Sequence, residues 1–207
     1  MDGPVLPLTA ARVERADAVR NRLHLLATAR AIIAAEGVDK LTMDGLAERA
    51  ELGKGTVFRR FGTRSGIFQA LLDDAERSFQ HQVLSGPPPL GPGAAPLDRL
   101  VAYGRARVGF LFEHRVIARA ALDGRQSVPV GSEATLSRMH IRMLLGQLAL
   151  SGADLEVLTL QLTAALDGPL LLYLSATDLT DVALRGEQRM AQGWQDLIHR
   201  VCYRMLP

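Results

Sequence analysis

The chain is poor in cysteine, aromatic residues and lysine. Cys202 is the only cysteine, so no intrachain disulfide can form, which indicates a reducing environment. Aromatic residues make up 5% of the 207 residues, and the apolar 48% is mostly Ala, Leu and Val. This composition favours an all-α fold and is sufficient for a sizeable core. Because the net charge is only +2, any affinity for nucleic acid must come from a local basic patch.

The sequence also lacks catalytic and metal-binding motifs. None of the five histidines pairs with another at the i+3 or i+4 spacing of a helical zinc site. The run Gly53-Lys54-Gly55-Thr56 lacks the upstream glycine and the preceding β-strand of a phosphate-binding loop. We therefore predict no metal, no cofactor and no enzymatic activity.

A secretion signal and a clear membrane span are missing as well. The first 16 residues lack the basic start and long apolar core of a signal peptide. The most membrane-like run, 157–177, contains Gln161, Asp167 and a Gly168-Pro169 break. A helix that is apolar nearly all round is either a membrane span or a buried central helix, and the break favours the buried helix. We expect a cytoplasmic protein without a membrane partner.

Proline and glycine mark the breaks between predicted helices. Residues 85–96 contain five Pro and three Gly, which excludes a helix and predicts a surface loop. Pro4 and Pro7 predict a flexible arm over 1–16, and apolar spacing predicts a helical head over 17–64 and a larger helical region over 65–207. About nine helices are expected: 17–36, 43–50, 54–61, 65–84, 97–113, 114–122, 132–150, 153–177 and about 183–205.

The stretch Thr42–Phe61 predicts two short helices joined by a tight turn. Thr42 is an N-cap type of residue, and apolar residues follow it at helical spacing. Residues 51–53 are too few for a loop, and a second helix is predicted to begin near Lys54. That helix is predicted to direct Val57, Phe58 and Phe61 inward and to present Lys54, Thr56, Arg59 and Arg60 on its other face.

A short basic helix held against another by a three-residue turn has the geometry that enters a DNA major groove. Residues 1–64 carry three more basic than acidic side chains, whereas residues 65–207 carry one more acidic than basic. The basic excess therefore lies in the segment that contains the helix pair. An ordinary helical corner with a solvated basic face is the alternative interpretation.

Residues 22–72 resemble the DNA-binding head of the tetracycline-repressor (TetR) family of bacterial transcription regulators. The resemblance is carried by the apolar residues and Gly37 of the first helix, by Thr42-Met43, and by Leu46-Ala47 with Ala50. It continues through the run 52–61, LGKGTVFRRF, to Arg64 and Ile67. Two positions depart from the family pattern: Glu51 replaces a common turn glycine, and Gly53 replaces a common serine.

The resemblance implies a homodimeric, all-α, ligand-responsive repressor with a helix-turn-helix head and a C-terminal helical bundle. Thr42, the start of the second helix and Arg64 are expected at DNA phosphates, whereas Thr56 and Arg59 are expected at base edges. Phe58 holds the place of an aromatic residue that packs beside the DNA backbone. The DNA-binding residues implied are Thr42, Gly53, Lys54, Gly55, Thr56, Phe58, Arg59, Arg60 and Arg64.

The last two helices are expected to form the dimer interface, because the run 157–177 is too apolar to face water. The predicted interface residues, for which the intrachain core is an equal alternative, are Leu170, Tyr173, Leu174, Met190, Trp194 and Leu197. Such a dimer predicts a near-palindromic operator.

A small, mostly hydrophobic effector is expected to bind within residues 97–198. Asp167 is a carboxylate in an apolar segment, so it needs a partner: a cationic ligand, an Arg or His of the chain, or backbone freed by Pro169. The predicted lining residues are Tyr103, Phe110, Met139, Met143, Asp167 and Trp194. The alternatives to a regulator are a helical small-molecule carrier or enzyme, and a purely structural interaction protein.

Overall fold

The computed structural model describes residues 8–122, 132–148, 150–175 and 186–203, with the backbone alone for 8–16, 132–135 and 175. These residues form eight α-helices, one short 3-10 helix and no strand, which confirms the all-α prediction. The chain divides into two compact units, Met1–Leu71 and Leu72–Pro207. The helices are α1 (Leu8–Glu36), the 3-10 helix Val38–Lys40, α2 (Met43–Arg49), α3 (Lys54–Phe61), α4 (Arg64–Ser85), α5 (Pro96–Ala121), α6 (Ser132–Gln147), α7 (Leu155–Ser175) and α8 (Glu187–Tyr203).

Helix α1 begins at Leu8, which corrects the prediction of a flexible arm over residues 1–16. Residues after Pro7 are good helix formers, and a proline just before a helix does not disturb it. The end of α1 is as predicted, because Gly37 has a φ of +91° and its N–H donates to the carbonyl oxygen of Ile33 at 2.9 Å. Residues 1–7 of the predicted arm lie outside the described residues.

Helix α5 is continuous, which corrects the prediction of separate helices over 97–113 and 114–122. The predicted boundary falls at His114, but its Nδ1 lies 2.9 Å from the carbonyl oxygen of Phe110 and its ring stacks on the Phe110 ring at 4.5 Å. Helix α7 likewise continues through Pro169. The predicted loop 124–131 and turn 178–182 lie outside the described residues.

The N-terminal unit is held together by apolar side chains that meet between α1, α2, α3 and the start of α4. Helix α2 packs against α1 and α3. Leu41, in the segment between the 3-10 helix and α2, is fully buried and fills the core there. The fully or nearly fully buried side chains are Leu25, Leu26, Ala29, Ile32, Leu41, Leu46, Ala47, Val57, Ile67 and Phe68. This core fixes the positions of α2 and α3.

In the C-terminal unit, α5 is the central helix and packs against α6, α7 and α8. Its buried residues recur at three- and four-residue spacing, and the facing helices contribute mainly Leu and Ile. Two charged residues interrupt this apolar core: Glu76 of α4 and Arg107 of α5. Their side chains are 8% and 5% exposed, and Arg107 Nη1 donates to Glu76 Oε2 at 2.6 Å. Each charge is thus compensated by the other.

Helix α7 is only partly buried by its own chain. Its length and composition would suffice for a membrane span, yet only 28% of the window Leu155–Leu174 is buried within the chain. Val157, Leu160 and Leu172 are 48%, 52% and 66% exposed. One face of α7 therefore packs on α5 and α6, while the other presents apolar side chains outward.

Gly104 allows the close approach of α5 and α8. A Cβ atom at this position would lie 2.0 Å from the Trp194 ring, whose Nε1 donates to the carbonyl oxygen of Leu100 at 3.1 Å. Replacement of Gly104 by Ala must displace the indole, and we expect a loss of about 2–3 kcal/mol in the unfolding free energy of the C-terminal unit. Trp194 is the only tryptophan, so chemical denaturation followed by its fluorescence measures this loss.

Gly146 of α6 provides the matched control, since a Cβ atom there would have no neighbour within 4 Å. Gly146→Ala should leave stability unchanged or raise it by about 0.5–1 kcal/mol, because alanine favours a helix. Equal stabilities of the two variants would contradict the role assigned to Gly104.

Candidate functional site

The turn between α2 and α3 is closed by its own backbone. Glu51 has a φ of +53°, Leu52 N–H donates to the Ala47 carbonyl at 3.0 Å, and Glu51 N–H donates to the Glu48 carbonyl at 3.1 Å. This pair of hydrogen bonds is a Schellman motif with Glu51 at the left-handed position that glycine favours. A non-glycine residue in this conformation costs about 1 kcal/mol.

Thr42 caps α2 as predicted, because its Oγ1 accepts a hydrogen bond from Gly45 N–H at 3.0 Å. The hydroxyl is exposed, and its proton is not used by this bond. Thr42 therefore combines a structural role with a donor directed to the surface.

Helix α3 presents an uncapped, exposed N-terminus. Gly53 occupies the N-cap position and has no side chain to accept the first N–H groups of the helix. Gly53 and Gly55 are exposed, and neither has a neighbour within 4 Å of an added Cβ. Open backbone N–H groups at the positive end of a helix dipole favour an anion such as a phosphate.

The side chains that surround this N-terminus are mostly cationic and exposed. Lys54 Nζ lies 2.9 Å from Asp44 Oδ2, and both side chains are more than half exposed, so this pair contributes little. Arg59 Nε donates to the Gly55 carbonyl of the same helix at 3.2 Å, and Arg60 Nη2 donates to the Ala18 carbonyl at 2.9 Å. Thr56 is half-buried on the same helix.

Phe58 differs from the prediction made from helical spacing. It was expected to point inward with Val57 and Phe61, but it is 49% exposed, whereas those two side chains are buried. Helix α3 spans only eight residues, so its inward stripe is filled by Val57 and Phe61 alone. The exposed ring agrees with the position beside a DNA backbone that the TetR resemblance implies.

The Arg64 guanidinium binds two carbonyl groups of the chain. Its Nε donates to the Leu41 carbonyl and its Nη2 to the Val38 carbonyl, both at 2.6 Å, and it lies 4.9 Å from the Phe68 ring centre. These contacts point to a structural role, and the expected phosphate contact stays a prediction. Arg64 satisfies carbonyl groups of the segment before α2 and fixes that segment to the start of α4.

A second candidate site is a cavity of about 400 Å³ in the C-terminal unit, between α4, α5 and α6. Its wall is mainly apolar, with a few polar groups, as is common for small-molecule sites. The lining residues are Glu76, Phe79, Gln80, Val83, Leu84, Tyr103, Leu136, Ser137, Met139, His140 and Met143.

The cavity brings together three of the predicted ligand-binding residues: Tyr103, Met139 and Met143. Phe110 lies behind the cavity wall, with its ring centre 5.2 Å from that of the wall residue Phe79. Trp194 is buried in the core and is not part of this wall.

Asp167, also predicted to bind the ligand, lies outside the cavity wall, near the Glu76–Arg107 pair. Burial raises the pKa of its carboxyl, and the nearby Arg107 guanidinium opposes that rise. Of the partners expected for Asp167, an arginine of the chain lies near enough to act on its carboxyl electrostatically.

The predicted interface residues lie mainly on the inner faces of the last two helices. Leu170 and Met190 line a gap of about 10 Å³ next to Val108, and Trp194 is buried. Leu197, Tyr173 and Leu174 are partly buried. The outward apolar face of α7 consists instead of Val157, Leu160, Ala164, Gly168, Leu171 and Leu172.

Sequence reasoning missed Glu76, Ser137 and His140 at the cavity. A signal was present, because Glu76 falls on the apolar stripe of α4, in register with Leu72, Phe79 and Val83. Ser137 falls in the same way on the stripe of α6. A polar residue in apolar register marks a place where the core contains a partner or a cavity.

Within the described ranges, no group of three or more His, Cys, Asp or Glu side chains is placed to hold a metal ion. The two candidate sites are the exposed face of α3 and the cavity.

The head matches known proteins at the level of sequence. The family model for bacterial regulatory proteins of the tetR family matches residues 25–71. A curated DNA-binding transcriptional repressor TetR from Mycobacteroides abscessus is 34% identical over 59 residues. That match covers 28% of this chain and 31% of the repressor, so this chain spans less than a third of the repressor's length in the match.

Solved structures match over nearly the whole chain. A TetR-family transcriptional regulator from Pectobacterium atrosepticum has a TM-score of 0.66 at 19% identity, over 93% of this chain and 97% of its own. NalD, the secondary repressor of the MexAB-OprM multidrug efflux pump in Pseudomonas aeruginosa, has a TM-score of 0.54 at 17% identity, over 89% and 96%. The head of this chain therefore matches the family model for bacterial regulatory proteins of the tetR family, and the chain shares its fold with these solved regulators.

Proposed function

We propose that this protein is a cytoplasmic transcriptional repressor that binds a near-palindromic DNA operator as a homodimer and is released by a small hydrophobic effector. The observation that carries the proposal is the exposed N-terminus of α3, which combines free backbone N–H groups with Lys54 and Arg59. Such a surface suits phosphate contacts that position the helix and an arginine that reads a base edge.

Within this proposal, the residues of the head have different roles. Thr42, Lys54 and the backbone at Gly53 and Gly55 contact phosphates, and Phe58 packs beside the DNA backbone. Thr56 and Arg59 read bases, and Arg60 contributes at phosphate or base. Arg64 orders the segment that presents Thr42.

The DNA-binding proposal is tested by fluorescence anisotropy with a duplex that covers the region flanking the protein's own gene. We expect tight binding at low salt, because the α3 surface displaces counterions from the duplex. If about four phosphates are neutralised, affinity should fall roughly 100-fold between 50 and 200 mM salt. Binding that is absent, or insensitive to salt, would favour the alternative of a helical small-molecule-binding protein without a regulatory role.

The homodimer is supported by the outward face of α7. Val157, Leu160, Ala164, Gly168 and Leu171 recur at three- and four-residue spacing, which gives a continuous stripe along the helix. A second copy of the same stripe would bury these apolar side chains in a two-fold interface. A dimer that reads both half-sites of a near-palindrome needs its two α3 helices about one DNA turn, roughly 34–36 Å, apart.

We predict that Leu160→Glu combined with Leu172→Glu converts the protein to a monomer, because two carboxylates would be buried without partners in the interface. Multi-angle light scattering measures the mass directly. The control is Val116→Glu, which places one carboxylate on a half-exposed residue of α5 and should leave a dimer. A double variant that stays dimeric, with a wild-type circular dichroism spectrum, would place the interface elsewhere.

A further inference from the structure

The cavity between α4, α5 and α6 has the size of a small-molecule site. Its volume of about 400 Å³ lies within the range of roughly 300–1,000 Å³ found for such sites. Phe79, Val83, Tyr103 and Met143 provide apolar and aromatic surface at its wall. The dominant driving force for a ligand would be burial of apolar area.

The charges at this wall are already compensated. The Glu76 carboxylate accepts from Arg107 at 2.6 Å and from the Gln80 amide at 3.4 Å. Burial, together with the nearby Arg99 cation, lowers the pKa of His140 to about 4, so its imidazole is neutral at neutral pH. A charged ligand would therefore lose its hydration without gaining an opposite free charge.

The wall instead provides uncharged hydrogen-bonding groups. The Tyr103 hydroxyl donates to Ser137 Oγ at 2.7 Å, and both residues are buried. Burial raises the pKa of Tyr103, so this hydroxyl keeps its proton. His140 adds a neutral ring whose Nε2 is buried and makes no hydrogen bond with the described residues. These groups can donate to or accept from a small polar group without any change in charge.

We propose that this cavity binds an uncharged, mostly apolar molecule carrying one hydroxyl or carbonyl group, which hydrogen-bonds at the Tyr103–Ser137 pair. The inference rests on the proposed function only in identifying this molecule as the effector. It replaces the broader expectation of a hydrophobic or cationic effector with a chemically defined class.

Isothermal titration calorimetry of the full chain, without DNA, tests this proposal with one rigid tail and different head groups. The probes are 4-hydroxybiphenyl, biphenyl-4-carboxylate and 4-(aminomethyl)biphenyl at pH 7. We expect 4-hydroxybiphenyl to bind at least about tenfold more tightly than either charged probe. Equal or tighter binding of a charged probe, or no measurable binding of any of the three, would overturn the proposal.

Tyr103→Phe separates the head-group contact from the shape of the cavity, since it removes one oxygen and keeps the ring. The variant should bind 4-hydroxybiphenyl about fivefold more weakly than wild type, and should bind unsubstituted biphenyl as wild type does. Val116→Ala, away from the cavity wall, should change neither affinity. An unchanged preference for the hydroxyl probe in Tyr103→Phe would contradict the assigned contact.

The same protein samples should be tested separately for DNA binding by anisotropy. If the protein binds no DNA but prefers the neutral probe, the regulatory function is refuted and the ligand class is not. DNA binding together with selectivity for a charged probe would refute the ligand class but not the regulatory function.

Discussion

Replacement of Arg107 by Met should destabilise the C-terminal unit by about 3–5 kcal/mol, the largest effect expected from any single substitution considered for this protein. The reason is that the Glu76 carboxylate would remain buried without its guanidinium partner at 2.6 Å. Methionine roughly preserves the side-chain volume, so the loss would reflect the uncompensated charge. Urea denaturation followed by Trp194 fluorescence measures it.

A double variant separates charge from packing. Glu76→Met combined with Arg107→Met should recover to within about 1 kcal/mol of wild type, because no charge remains buried alone. A double variant as unstable as the single one would show that packing dominates.

Replacement of Arg59 by Ala should strongly reduce sequence preference while leaving the fold intact. Arg59 is exposed, and its described hydrogen bond is to the Gly55 carbonyl of its own helix, so it contributes little to stability. A bidentate arginine–base contact contributes about 1–3 kcal/mol of discrimination at each half-site. Anisotropy with specific and scrambled duplexes should therefore show a preference reduced by about ten- to 100-fold per half-site.

Arg64→Ala is the matched contrast, since it removes an arginine from the same unit with a different role. Loss of its hydrogen bonds to the Leu41 and Val38 carbonyls should lower the stability of the head by about 2–3 kcal/mol. The ratio of specific to scrambled binding should change little in the protein that remains folded. If Arg64→Ala lost preference at wild-type stability, or Arg59→Ala kept its preference, the two roles would be reversed.

The head could be predicted from sequence because its signals are local. The Thr42 cap, the three-residue turn and the start of α3 at Lys54 each depend on neighbouring residues. The exposure of Phe58 is different, because spacing alone placed it with Val57 and Phe61. An eight-residue helix has room for only a narrow buried stripe, and the family resemblance assigned Phe58 to the outside.

The C-terminal unit was less predictable because its features depend on which helices meet. Nothing local to Glu76 or Arg107 shows that the two side chains pair across α4 and α5. The apolar character of α7 was evident, but which of its faces packs inward depends on α5 and α6. The predicted interface residues accordingly fell on the inner face, whereas the outward stripe begins at Val157.

Selection of bound sequences from a pool of random duplex DNA tests most directly the claim that a dimer reads DNA through α3. The wild-type protein should enrich a near-palindrome whose half-sites are centred about one helical turn, roughly 10 base pairs, apart or slightly more. The Arg59→Ala variant, selected in parallel, should lose enrichment at one base position in each half-site. No enriched sequence with wild type, or an enriched site without two-fold symmetry, would contradict the account.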